Sequence, residues 1–302
     1  WRSQGRLASL NAHALALGAE EWRALGFSGD AADWAGWWGA RQASLLPDAA
    51  WDPEFAAWLD LVWLADLDDA SLADLGCAAL LPEADAELFA LLGNGSEAQR
   101  RLTQVALRAG PLCLPTGGLR LASRYRPYLV AAWRERSPDA WKNAVETGTS
   151  RLLARGHGAL AAQLVAGIAD AALASRLAAR VLHEAGWFLL LSRHAALLRT
   201  LLDLMDPAAS GVELKLFEAA WKVLVTRRPH EAEALVDSLC REDDPLILAS
   251  AHALRASIAL QYDALSCAQE HLEKARFDDD LHPASSLAEL TEATTLQALG
   301  EF

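Results

Sequence analysis

The stretch Leu173-Ala174-Ser175-Arg176-Leu177-Ala178-Ala179-Arg180-Val181-Leu182-His183-Glu184-Ala185-Gly186 decides the fold class. Leu173, Leu177, Val181 and Ala185 recur at every fourth position, which places them on one face of a 3.6-residue helix; a half-buried strand would alternate at every second position. The helix is expected to end near Gly186, since glycine is a common helix terminator. Ala and Leu recur at spacings of three and four through nearly all of the chain, so the expected fold class is all-α.

Downstream of this stretch the pattern repeats. Ala220, Ala256 and Ala293 stand 36 and 37 residues apart in successive first helices. Ala232, Val236 and Leu239 align with Ala268, Leu272 and Ala275 in the second helices. A small residue lets two helices approach closely, and a 0, +4, +7 triplet packs the second helix on the first. Residues 137–302 are therefore expected to form a tetratricopeptide-like α-α superhelix of stacked helix pairs. Arg255 stands where such units usually carry Leu, and their closing Pro is absent. The third unit stops at Phe302, so the chain is expected to be a piece of a longer polypeptide. In an array of this kind the first helices line the concave face. Phe217, Trp221, Ser257 and Gln261 are then expected to face a groove for a small effector, a peptide or a protein partner. The competing reading of Phe217 and Trp221 is ordinary core.

Upstream, one segment departs from helix. Leu112-Cys113-Leu114 and Leu119-Arg120-Leu121 flank Pro115-Thr116-Gly117-Gly118, the pattern of a small β-hairpin. Helices are expected at 71–81, 85–92 and 97–109 before it and through 128–136 after it. Gly93-Asn94-Gly95 marks a turn, and Ser96-Glu97-Ala98-Gln99 a capping box. Three helices followed by a hairpin make residues 67–136 a winged-helix-like domain. Residues 1–66 hold eight of the 12 tryptophans and read as a helical segment with an aromatic-rich core.

Charge and motif content narrow the function. The net charge is −13, which opposes nucleic acid or an anionic membrane as the main partner. From Trp51 to Ser96 there are ten carboxylates and no Lys or Arg; from Glu97 to Arg136 there are eight arginines and two glutamates. Arg100, Arg101, Arg108, Arg120, Arg124 and Arg126 form a basic patch on the expected third helix, wing and lid. The alternative function is direct DNA binding through this patch. Cys77, Cys113, Cys240 and Cys267 are scattered, without the close ligand pairs of a zinc site. They read as reduced core residues of a cytoplasmic protein. No apolar run reaches the roughly 20 residues of a membrane span. His230-Glu231 lacks a second histidine at position 234, and Asp278-Asp279-Asp280 with His282 reads as a solvated loop, so no metal is expected. No G-x-x-x-x-G-K-[ST] or G-x-S-x-G motif occurs, and the chain is expected to be non-catalytic.

Three phrases carry a resemblance. Ala19-Glu20-Glu21-Trp22 is followed by Trp34-Ala35-Gly36-Trp37-Trp38-Gly39; Arg124-Tyr125-Arg126-Pro127-Tyr128-Leu129 closes the expected winged helix; and Ala179-Arg180-Val181-Leu182-His183-Glu184-Ala185-Gly186-Trp187-Phe188-Leu189-Leu190 lies in the repeats. In this order they resemble the regulatory core of maltose-regulator-like transcription activators, bacterial LuxR-type regulators of the signal-transduction NTPase (STAND) class. The resemblance implies a P-loop ATPase domain upstream, sensor repeats downstream and DNA binding through a further domain. ATP or ADP would then belong to that upstream domain, with no cofactor in residues 1–302. In the family a histidine near the end of the winged helix approaches the nucleotide; the corresponding phrase here has none.

Overall fold

Asp68 starts the first described helix by accepting a hydrogen bond from the Ser71 amide at 2.7 Å, pairing one of the N–H groups that a helix leaves open at its start. The computed structural model describes residues 64, 67–81, 83–92, 97–109, 119–121, 125–205, 211–276 and 283–299. Among them the chain is mostly helical. It divides into two compact units, residues 1–152 and 153–302.

In the first unit lie α1 (Asp69–Leu80), α2 (Ala86–Leu92), α3 (Ala98–Ala109) and α4 (Tyr125–Arg136). Asp85 caps α2 through the Leu88 amide at 2.7 Å. The fourth helix starts before Pro127 rather than after it, because a proline in the first turn removes an N–H that had no helical partner. α1 packs against α2, α3 and α4. At Gly76 an added Cβ would lie 2.2 Å from Trp133 Cε3, so only glycine lets α1 meet the buried indole of α4. The Ala84 amide donates to the Leu119 carbonyl at 2.9 Å in an isolated antiparallel bridge. Of the expected hairpin, the arm Leu112–Leu114 and its turn lie outside the described residues. So do Gly93-Asn94-Gly95, Ser96 and the tryptophan-rich segment as far as Trp63.

Next comes α5 (Pro138–Ala154), almost all of it in the first unit. Its attachment there is physical: Gly148 lies against Leu92, and Arg151 donates to the Leu91 carbonyl at 3.3 Å. The remaining helices are α6 (Gly158–Ala166), α7 (Ala171–Leu191), α8 (Ala195–Leu204), α9 (Val212–Ala220), α10 (Pro229–Leu239), α11 (Pro245–Gln261), α12 (Leu265–Lys274) and α13 (Pro283–Leu299). A π-helical turn, Trp221–Val225, extends α9. The packing is that of a helical repeat. α7 pairs with α8, α9 with α10 and α11 with α12; each first helix also meets the next, α7 with α9, α9 with α11 and α11 with α13.

The structure departs from two expectations. α7 does not end at Gly186 but runs to Leu191. A Cβ at Gly186 would lie 2.4 Å from Phe217 Cζ, so this glycine admits a ring from α9 and terminates nothing. Ala220 and Ala256 are fully buried, as small residues at helix contacts should be, but Ala293 is exposed. α13 instead buries Ala284, Ser285, Leu287, Thr291 and Thr295. Among the described residues no helix is long and apolar enough to cross a membrane.

Candidate functional site

The four residues expected to line a groove do not share one surface. Phe217 is 3% exposed, and its ring centroid lies 5.4 Å from that of Trp187; it is core. Ser257 is also buried, its hydroxyl 3.0 Å from the Ala253 carbonyl and 3.1 Å from Thr291 Oγ1, which makes it part of the α11–α13 contact. Trp221 is half-buried. Gln261 is exposed and donates through Nε2 to the Val223 carbonyl at 3.1 Å, fastening the π-helical turn to the end of α11. The reason is geometric: a first helix has neighbours on several sides, so sharing a helix face does not place residues on an open one.

An open cleft lies at the starts of α9 and α11, beside the middle of α7. About 370 Å³ in volume, it is lined by Ala179 and Leu182 of α7, Met205, the Gly211–Leu214 start of α9, and Glu242, Asp244 and Ile247 at the start of α11. Leu182, Met205, Val212, Leu214 and Ile247 supply apolar walls. Glu213, Glu242 and Asp244 supply carboxylates. Two local features build it. Gly211 precedes α9 without a side-chain cap, and a Cβ there would meet nothing within 4 Å. Asp244 caps α11, accepting from Leu246 N at 2.9 Å and Ile247 N at 3.3 Å, with Pro245 at the first helical position. His183 Nδ1 lies 2.6 Å from Glu213 Oε1, linking α7 to α9 at the rim. In sequence these acids look like solvated helix surface; the packing of the helices brings them to one cleft.

The basic patch is largely engaged within the protein. Arg101 donates from Nε to Asp74 Oδ2 at 3.0 Å, pairs through a second nitrogen with the other carboxylate oxygen, and lies 5.7 Å over the Phe89 ring. The Asp74 hydrogen bond holds its pKa above the usual value. Arg126 donates to the Ala79 carbonyl at 2.8 Å, and burial, followed by the charge of Arg120, lowers its pKa. Arg100 pairs with Glu97 on the surface. Arg120 is exposed. Arg124 and the side chain of Arg108 lie outside the described residues.

A histidine pair carries no sequence signal, its members standing 19 positions apart. His252 of α11 and His271 of α12 stack with ring centroids 5.3 Å apart and Nδ1 atoms 3.1 Å apart. Cys240 Sγ lies 3.8 Å from His252 Nδ1. At that nitrogen–nitrogen distance one ring donates and the other accepts, an arrangement that needs a neutral acceptor. Burial is the largest cause lowering both histidine pKa values; for His252 the next is the charge of His271, and for His271 that of Lys274. Burial also raises the Cys240 thiol and, together with Asp74, pushes Cys77 up to about 12. Among the described residues no group of three or more His, Cys, Asp or Glu is placed to hold a metal ion. Cys77, Cys240 and Cys267 are free thiols.

No protein-family model, curated protein or solved structure matches the chain.

Proposed function

We propose that this chain is the non-catalytic regulatory part of a bacterial LuxR-type, STAND-class transcription regulator. In this reading a winged-helix-like domain precedes a tetratricopeptide-like superhelix, and the superhelix recognises a small effector or a peptide. The observation that carries it is the cleft spanning three successive first helices, α7, α9 and α11, with apolar walls and a carboxylate rim. Such a site favours a ligand with an apolar body and a cationic group. The Ala84–Leu119 bridge supports the winged-helix half, because it joins the α1–α2 connection to the segment after α3.

The cleft can be closed without touching its framework. Gly211→Trp introduces an indole where a Cβ has free space. In a thermal-shift screen of amphipathic amines and short basic peptides, a ligand at the cleft should raise the melting temperature of the wild-type chain and not that of Gly211→Trp. If no compound stabilises the wild type, or if the variant responds equally, the cleft is not the sensor site.

DNA binding through the basic patch is the weaker reading. Arg101 and Arg126 are held by Asp74 and by the Ala79 carbonyl, which leaves fewer cations for phosphates.

A further inference from the structure

Of the three carboxylates that border the α7–α9–α11 cleft, two are engaged within the fold. Glu213 stands in the first turn of α9, where an acid complements the positive end of the helix, and it is linked to His183 at 2.6 Å. Asp244 caps α11, its Oδ1 accepting from two backbone amides. Glu242 has neither role. It follows the end of α10 at Leu239, and its amide donates to the Leu239 carbonyl at 3.2 Å. That is the negative end of a helix, where an acid is unfavourable and a base would be expected. Glu242 is nevertheless half-buried, and among the described residues its carboxylate has no ion pair and no hydrogen bond. It breaks the local rule that the other two acids obey, and such departures are expected where a side chain serves a ligand.

The rest of the lining narrows the ligand. Among the described residues no Lys, Arg or aromatic side chain lines the cleft. Arg241, next to Glu242 in the chain, is exposed and does not border it. An incoming cation therefore meets no basic competitor. A quaternary ammonium group is held on aromatic faces, and this cleft offers none. A carboxylate holds instead a cation that donates N–H hydrogen bonds. Building on the sensor reading of the cleft, we infer that Glu242 is its specificity-determining residue and that the ligand is an apolar amine with one protonated ammonium group. The ammonium donates to the Glu242 carboxylate, and the apolar body lies on Leu182, Val212 and Ile247. One charge matches the one carboxylate that the fold leaves unengaged. Because Glu242 is unpaired in the free protein, the amine displaces no internal ion pair when it binds.

Three probes share one apolar body: adamantylmethylamine, the neutral adamantylmethanol, and the trimethylammonium counterpart of the amine, which has no N–H donor. Calorimetric titration of the chain near neutral pH should show saturable binding of the amine and at least about tenfold weaker binding of the other two. Glu242→Gln should weaken the amine by about tenfold or more and leave the alcohol unchanged, whereas Glu213→Gln should weaken the amine by about threefold at most. The unliganded Glu242→Gln variant should melt no lower than the wild type, since no internal partner is lost. An amine that Gly211→Trp excludes but Glu242→Gln leaves unaffected would overturn the role of Glu242 and leave the sensor reading standing. Equal binding of the alcohol or the trimethylammonium compound would overturn the ligand class, and a lower melting temperature of unliganded Glu242→Gln would make Glu242 a structural residue. No binding of the amine would also overturn the ligand class, while another compound that stabilises the wild type and not Gly211→Trp would still support the sensor reading. Amine binding that Gly211→Trp does not alter would overturn both.

Discussion

At the level of single residues, the contact between Gly186 and Phe217 shows how little space separates α7 from α9. The Phe217 ring fills the place a side chain would need at position 186, with three ring carbons 2.4 to 2.8 Å from the site of a Cβ. Gly186→Ala should therefore lower stability by about 1–3 kcal/mol, the usual cost of overpacking, even though alanine is the better helix former. Phe217→Ala should cost about 3–5 kcal/mol, as expected for a buried ring replaced by a cavity. Because the two residues touch, the double variant should be less destabilised than the sum of the single ones. Denaturant unfolding of the four proteins measures all three quantities. Strict additivity would mean that the ring and the glycine do not constrain each other.

At the level of helices, the α11–α12 contact is joined by a group that titrates. His252 faces His271 and Cys240, with Lys274, Glu270, Arg255 and Asp237 contributing charge around the pair. Both imidazoles have pKa values below the ordinary 6.5, burial being the main cause. The unfolded chain then takes up protons at a higher pH than the folded one. The stabilisation is complete above about pH 6.5 and is lost as the pH falls from there towards the folded values. Protonating both rings would also set two N–H donors against each other. The melting temperature should fall as the pH is lowered below neutrality, and the His252→Gln, His271→Gln double variant should flatten that part of the profile. A profile unchanged by the double variant would assign the acid sensitivity to carboxylates elsewhere.

At the level of the molecule, charge governs which partners approach. The chain carries −13 overall, and its arginine-rich segment is partly neutralised by Asp74 and Glu97. A 30-base-pair duplex should accordingly bind weakly at low salt and lose most of that binding at about 0.15 M, where counterion release drives association less and the Debye length is about 8 Å. Anisotropy titrations across a salt series measure this. Nanomolar, sequence-dependent binding at physiological salt would favour the arginine-rich segment as a DNA reader.

What the sequence by itself determined is the helical class and much of the helix order. Spacing of apolar residues is a local property, and Leu173, Leu177, Val181 and Ala185 are indeed all buried on α7. So are Ala220, Ala256 and the Ala232–Val236–Leu239 triplet, whereas Leu272 of the matching triplet is half-buried and Ala293 is exposed. What only the tertiary structure decided is which side of each helix meets a neighbour. Gly186 is read locally as a stop, yet a ring from 31 positions further along the chain makes it a packing residue. Phe217 and Ser257 became core and Ala293 surface for the same reason. His252 and His271, Ala84 and Leu119, and the carboxylates of the cleft come together across helices. Periodicity identifies the face a helix will bury; only three-dimensional packing supplies its partner.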